Sequence, residues 1–181
     1  MHAFETLMAT IFNHCGYWTA TNVKVNLSPD EKRAINRPTT PRWDIDVLAY
    51  RPKSEELLAI ECKSLLDSTG VVFRNDAFDS PKTYKLFSEA QTREVILTSL
   101  ANQLHDAGLT QSIVKPTLCM AAAHIANKTD KPAMQQHFKK NGWRLFDEQW
   151  IKMKLQEIGS HGYQDDLAYF VAKLLKAERV G

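Results

Sequence analysis

Two short apolar stretches carry charge where a buried strand usually has none: DIDVLAY, from Asp44 to Tyr50, and LLAIECKS, from Leu57 to Ser64. Side chains alternate along a strand, so Asp44 and Asp46 fall on one face of the first stretch, with Ile45 and Val47 on the other. In the second, Glu61 and Lys63 share a face, opposite Leu58, Ile60 and Cys62. If the two strands pair, up to four charges gather at one place on a sheet. Carboxylates held together repel, and burial raises the cost. A cation relieves it. Lys63 supplies one positive charge; a divalent metal supplies two and takes carboxylate oxygens as ligands. Asp46 and Glu61 are therefore candidate ligands for Mg²⁺ or Mn²⁺, with the backbone carbonyl of Cys62 as a third. Such a metal binds a phosphate oxygen, lowers the pKa of a bound water and stabilises charge on the leaving oxygen. Lys63 beside it can orient the water or stabilise the phosphorus centre. The chemistry is metal-assisted phosphodiester hydrolysis.

The elements around these strands must hold them in register. Residues 3–15 place Phe4, Leu7, Met8, Ile11 and Phe12 at helical spacing, and Gly16 marks a stop. Tyr17 to Leu27 is rich in β-branched and aromatic residues and predicts a strand. Residues 28–42 hold three prolines and four basic residues, which predicts a loop. Strands are predicted over 43–51 and 57–63, joined by a PKSE turn, and residues 64–82 read as irregular. A helix is predicted over 83–107, ended by Gly108, and a buried strand over 117–126. A helix over 131–140, a short strand WRLF and a helix over 148–158 follow. The last helix, 163–178, lines up Leu167, Phe170, Val171, Leu174 and Leu175 as a core or dimer face. The order is α-β-β-β-α-β, then α-β-α-α, for which a mixed sheet flanked by helices is the economical packing.

The totals bound the rest. A chain of 181 residues, 44% hydrophobic and 24% charged, suits one globular domain with a real core. A net charge of +2 is too mild to argue for nucleic acid or membrane by itself. The cysteines Cys15, Cys62 and Cys119 are scattered without a CxxC pair, which speaks against a disulfide framework, a zinc ribbon or a cysteine-ligated cluster. Cys15 and Cys119 read as buried small hydrophobes, so a reducing cytoplasm is the expected compartment. The N-terminus lacks a signal-peptide layout, and the best apolar run, Leu118 to Ala123, stops at His124, far short of the ~18 residues of a membrane span.

Asp46, a 14-residue gap and then ECK at the end of an apolar strand resembles the PD-(D/E)xK nuclease superfamily. Glu5 in an N-terminal helix, the Gly16-Tyr17 turn into a strand, and IDVLAY are similar to its Holliday-junction-resolvase-like and restriction-endonuclease-like branches. The likeness covers roughly residues 3–126, the αβββαβ core; residues 127–181 would extend the same domain with a strand and helices. The resemblance implies that Asp46, Glu61 and Lys63 are catalytic and that Glu5 helps hold Mg²⁺ or Mn²⁺. It implies a nucleic-acid partner, DNA ahead of RNA although the sequence does not separate them; the apolar runs give no membrane partner, and the C-terminal stripe leaves room for a homodimer. One departure is that Ile45, not proline, precedes the aspartate. An ExK triplet alone arises by chance about once in a chain this size, so the weight lies in the strand context. The alternatives are a non-cleaving nucleic-acid-binding module with a nuclease fold, and an interaction protein whose charged pair is ordinary surface.

Other residues carry bland readings beside functional ones. Lys32, Arg33, Arg37 and Arg42 could contact phosphates, but loop charges are more often only solvated, and Asp30 and Glu31 dilute them. Glu5 sits about 100° from Phe4 on a helical wheel, at the border of the apolar stripe. Gln103 and His105 read as helix surface, and His124 as a satisfied core histidine.

Overall fold

A computed structural model describes residues 3–39, 42–127, 129–160 and 166–177. Five strands form one mixed sheet in the order β1-β2-β3-β6-β7. They are β1 (Trp18–Val25), β2 (Trp43–Arg51), β3 (Glu56–Lys63), β6 (Thr117–Ala122) and β7 (Arg144–Phe146). The β1–β2 and β2–β3 pairs are antiparallel, whereas β3–β6 and β6–β7 are parallel. A small hairpin, β4 (Phe73–Arg74) and β5 (Ala77–Phe78), stands apart. The order and type of the main elements follow the sequence pattern, and α5 (Lys131–Lys140) matches it residue for residue.

Helices cover both faces. On one, the sheet packs against α4 (Ala90–Asp106), α5 and the hairpin, through Ile96, Leu100, Met134, Phe138, Phe73 and Phe78. On the other it packs against α1 (Ala3–His14), α6 (Glu148–Ser160) and α7 (Leu167–Ala177), through Met8, Phe12, Ile151, Ile158 and Tyr169. Leu57, Leu58, Ala59 and Ile60 are all buried because β3 is central and has helices on both sides. Among the described residues, no helix is long and apolar enough to cross a membrane.

Strict alternation fails in β2. Ile45 packs into the α4-side core, yet Val47, two residues on, packs into the α1-side core. Its partner strand does the same: Thr19 bonds to Asn13 of α1, whereas Val23 and Val25 pack on the α4 side. The register does not slip, running Thr21↔Val47 and then Val23↔Ile45. Both strands therefore turn over together at the step where Asn22 stands across from Asp46, and Asn22 has a left-handed φ of 54°. Asn tolerates that region better than most residues. So Asp44 and Asp46 do not form one charged face. Asp44 instead pairs with Lys24 at 2.7 Å, half exposed.

Other departures have local causes. The expected loop over 28–42 contains α2 (Pro29–Ala34), where Ser28 and Glu31 form a capping box and Pro29 opens the helix; residues 40 and 41 lie outside the described residues. The irregular 64–82 segment contains the β4–β5 hairpin because Asn75 and Asp76 both take positive φ, 50° and 58°, as a tight turn requires. The long helix is broken at Glu89, which is extended, so α3 (Lys85–Ser88) precedes α4. Strand β6 stops at Ala122, before His124, whose carbonyl accepts the Val71 amide at 3.0 Å. In α7, Phe170 and Val171 are exposed while Ala168, Tyr169 and Ala172 are buried, so the helix packs on a different face from the predicted stripe. The side chains of Leu167, Leu174 and Leu175, and residues 163–165 and 178 of the predicted helix, lie outside those described.

Gly70 lets the chain leaving β3 lie against the end of β6. A Cβ there would meet His124 Cδ2 at 2.5 Å and two backbone atoms at 3.0 Å, on a φ of 90°. At Gly142 φ is 70°, but the space is open. Gly142→Ala is expected to cost about 1 kcal/mol, the left-handed penalty alone. Gly70→Ala should cost at least about 2 kcal/mol, since strain and clash combine. Urea denaturation of both variants checks the order; equal losses would contradict the close approach.

Candidate active site

The pairing of β2 with β3 ends at Val47↔Ile60. Beyond it, β3 continues only against β6, through Glu61↔Met120, Cys62↔Ala121 and Lys63↔Ala122. On the β2 side the next amide is claimed by a side chain: Cys62 N–H donates to Asp46 Oδ2 at 2.7 Å. The turnover at Asn22 and Asp46 makes this possible, because it puts Asp46 at the step between faces, where its carboxylate reaches along the sheet. In an extended strand the N–H and C=O of one residue point the same way. The Cys62 carbonyl is therefore directed at the same gap.

Glu61 and Lys63 leave this end of β3 on one face. Lys63 Nζ lies 3.5 Å from Glu61 Oε2, and both side chains are largely buried, at 19% and 16% exposure. The ammonium also sits 5.8 Å from the Tyr84 ring centre. Glu5 joins from α1. It is only 5% exposed and sits at the centre of the buried helical face, in line with Met8, Ala9 and Phe12, rather than at its border. Asn22 Nδ2 donates to Glu5 Oε2 at 3.2 Å. A carboxylate in a first turn is favoured by the helix dipole, but burial so deep needs more than that.

The electrostatics are lopsided. Burial, offset in part by Lys63 and reinforced by Asp46 and Glu5, pushes the Glu61 carboxyl up to about 7. Burial and the same three carboxylates also push the Cys62 thiol far up, so it stays a neutral thiol. Asp46 and Glu5 thus raise the Glu61 carboxyl while Lys63 lowers it. Among the described residues, no group of three or more His, Cys, Asp or Glu side chains stands close enough to hold a metal by itself. A cation here would use the smaller set of Asp46, Glu61 and the Cys62 carbonyl, with Glu5 in support. Hard oxygen donors in that number suit Mg²⁺, which keeps several waters. The donor set fits a divalent ion, and burial of Glu61 beside Asp46 and Glu5 favours one.

The remaining candidates scatter. Arg33 pairs with Asp30 on α2. Arg37 pairs with Glu89 at 3.4 Å and covers the Trp43 ring. Both cations are committed internally; Lys32 is partly buried and Arg42 exposed. Gln103 is a stitch rather than bare helix surface: it donates to the Lys24 carbonyl at 2.8 Å and accepts from Asn26 N at 3.0 Å, tying α4 to β1. Among the described residues the cysteines are free thiols; Cys119 is buried as expected, but Cys15 is only half-buried.

Sequence reasoning missed Asn22. The available signal was an asparagine inside a run of β-branched residues, TATNVKV, where strands disfavour it. Comparison with family models, curated proteins and solved structures finds no match to this chain. The fold and site therefore define, on their own geometry, an α/β protein with a five-stranded mixed sheet flanked by helices and a buried acidic cluster at one sheet end.

The raised Glu61 carboxyl has a stability consequence. Unfolded, it loses its proton near 4.5; folded, near 7. Between these values the native state holds the extra proton, so stability falls as pH rises. The full effect is up to about 3 kcal/mol. Glu61→Gln in metal-free buffer should therefore be more stable than wild type at pH 8 by roughly that much, with no advantage near pH 4. Thermal melts across pH check it; no gain at pH 8 would contradict the uncompensated burial.

Proposed function

We propose that this protein is a divalent-metal-dependent nuclease with a restriction-endonuclease-like αβββαβ core. The reading is supported by element order, with α1, β1, β2, β3, α4 and β6 in sequence and the ECK triplet closing the central strand. One observation carries it. Asp46 captures the Cys62 amide at 2.7 Å, so a carboxylate, a backbone carbonyl, Glu61 and Lys63 all address the gap where β2 and β3 part.

Each group has a role in phosphodiester hydrolysis. Asp46 and Glu61 would hold the metal, the Cys62 carbonyl would be a third ligand, and Glu5 would support from α1. A bound Mg²⁺ or Mn²⁺ supplies Lewis-acid stabilisation of the phosphate and acidifies a water. Lys63 would donate to the attacking water or to the phosphoryl oxygens as charge builds on them. The water oxygen would bond to phosphorus as its proton passes to solvent, the bond from phosphorus to the leaving oxygen would break, and that oxygen would take a proton from solvent. Burial keeps the local dielectric low and strengthens each of these interactions. The substrate class is nucleic acid, with DNA favoured, and the core plus residues 127–181 act as one domain.

The test is a panel of plasmid, linear, single-stranded and branched DNA and of RNA, with Mg²⁺ or Mn²⁺, for wild type beside Asp46→Asn and Lys63→Ala. Cleavage should vanish with EDTA and drop at least ~10²-fold in each variant. Equal activity in all three proteins would sink the assignment. Metal-independent binding without cleavage would favour a non-cleaving module.

A further inference from the structure

Asn22 stands out as the irregular residue beside the acidic cluster. It takes φ 54° inside a continuous strand, across from Asp46, at the step where both strands turn over without slipping register. Its amide donates to Glu5 Oε2 at 3.2 Å. Glu5 is 5% exposed, whereas Asn22 is exposed on the surface. A left-handed residue in mid-strand costs energy, and such residues gather where the geometry is needed. An exposed strand position would ordinarily hold a β-branched residue at no cost.

We propose that Asn22 is a positioning residue of the metal site. Its side-chain amide fixes the Glu5 carboxylate toward the cluster, and its left-handed backbone permits the turnover that lets Asp46 reach Cys62. The proposal rests on the metal-nuclease reading. Asn22 has a fixed job in either part: as donor, it restricts Glu5 to one orientation; as hinge, it frees Asp46 from the face occupied by Asp44. Partners that orient ligating carboxylates typically change metal affinity by ~10–100-fold when removed.

Asn22→Gly separates the two jobs, because glycine keeps the left-handed backbone and deletes the amide. Mn²⁺ affinity is measured by calorimetry for wild type, Asn22→Gly, Glu5→Gln and the double variant, with kcat and KM on whichever nucleic acid wild type cleaves. Asn22→Gly should melt within a few degrees of wild type, bind Mn²⁺ at least ~10-fold more weakly and lose kcat with KM unchanged. The double variant should be no worse than Glu5→Gln, since the amide acts through Glu5. Unchanged Mn²⁺ affinity in Asn22→Gly, additive losses in the double variant, or a collapse of its melting temperature would each overturn the positioning role while leaving the nuclease reading intact. Wild type that neither binds Mn²⁺ nor cleaves would bring down that reading, and this role with it.

Discussion

The hydrogen bond from the Cys62 amide to Asp46 is the constraint on which the site depends. It replaces a ladder rung with a side chain. A sheet that stayed zipped along β2 and β3 would bury the end of β3 between two backbones and leave no room for a ligand. With the rung gone, β3 still has β6 on its other side, so the strand stays ordered while one edge of it opens. Asp46 closes on the Cys62 amide at this opening, and Glu61 and Lys63 stand on β3 on either side of Cys62. Its walls are rigid because Val47, Leu58, Ile60 and Ala59 are fully buried just below it.

The two ends of the sheet handle charge in opposite ways. At the far end, Glu56 accepts from Tyr17 at 2.6 Å and pairs with Arg144 at 2.5 Å and Arg51 at 3.5 Å. Its carboxyl is held low, burial being outweighed by those partners. Arg51 also stacks over Tyr17 and donates to the Cys15 carbonyl. That network is satisfied and ties α1, β1, β2, β3 and β7 together. At the other end Glu61 lies buried near Asp46 and Glu5, with Lys63 beside it, and its carboxyl is pushed up. The contrast is physical: Glu56 is held low by its partners, whereas Glu61 is raised by burial and neighbouring carboxylates. Functional sites commonly sit where stability has been given up in this way.

Much of this was legible in the sequence. Leu57 to Ile60 announced a central strand, and the spacing of Asp46, Glu61 and Lys63 announced their meeting. The capping box at Ser28 and Glu31 was there to be read, but three prolines nearby argued for a loop. The β4–β5 hairpin hid behind an Asn-Asp turn flanked by only two paired residues on each side. The turnover was not legible, because alternation assumes a regular backbone and one left-handed residue is enough to break it. Glu5 was misplaced for a related reason: Phe4 and Leu7 are only partly buried, and the true inward face is rotated toward Met8 and Ala9.

The most direct measurement is a crystal soaked in Mn²⁺ with diffraction recorded at the manganese absorption edge. The account predicts one anomalous peak in the gap between β2 and β3, touching Asp46, Glu61 and the Cys62 carbonyl, and no peak there in Asp46→Asn crystals. Absence of a peak in wild type at millimolar Mn²⁺, or a peak only elsewhere on the surface, would contradict it.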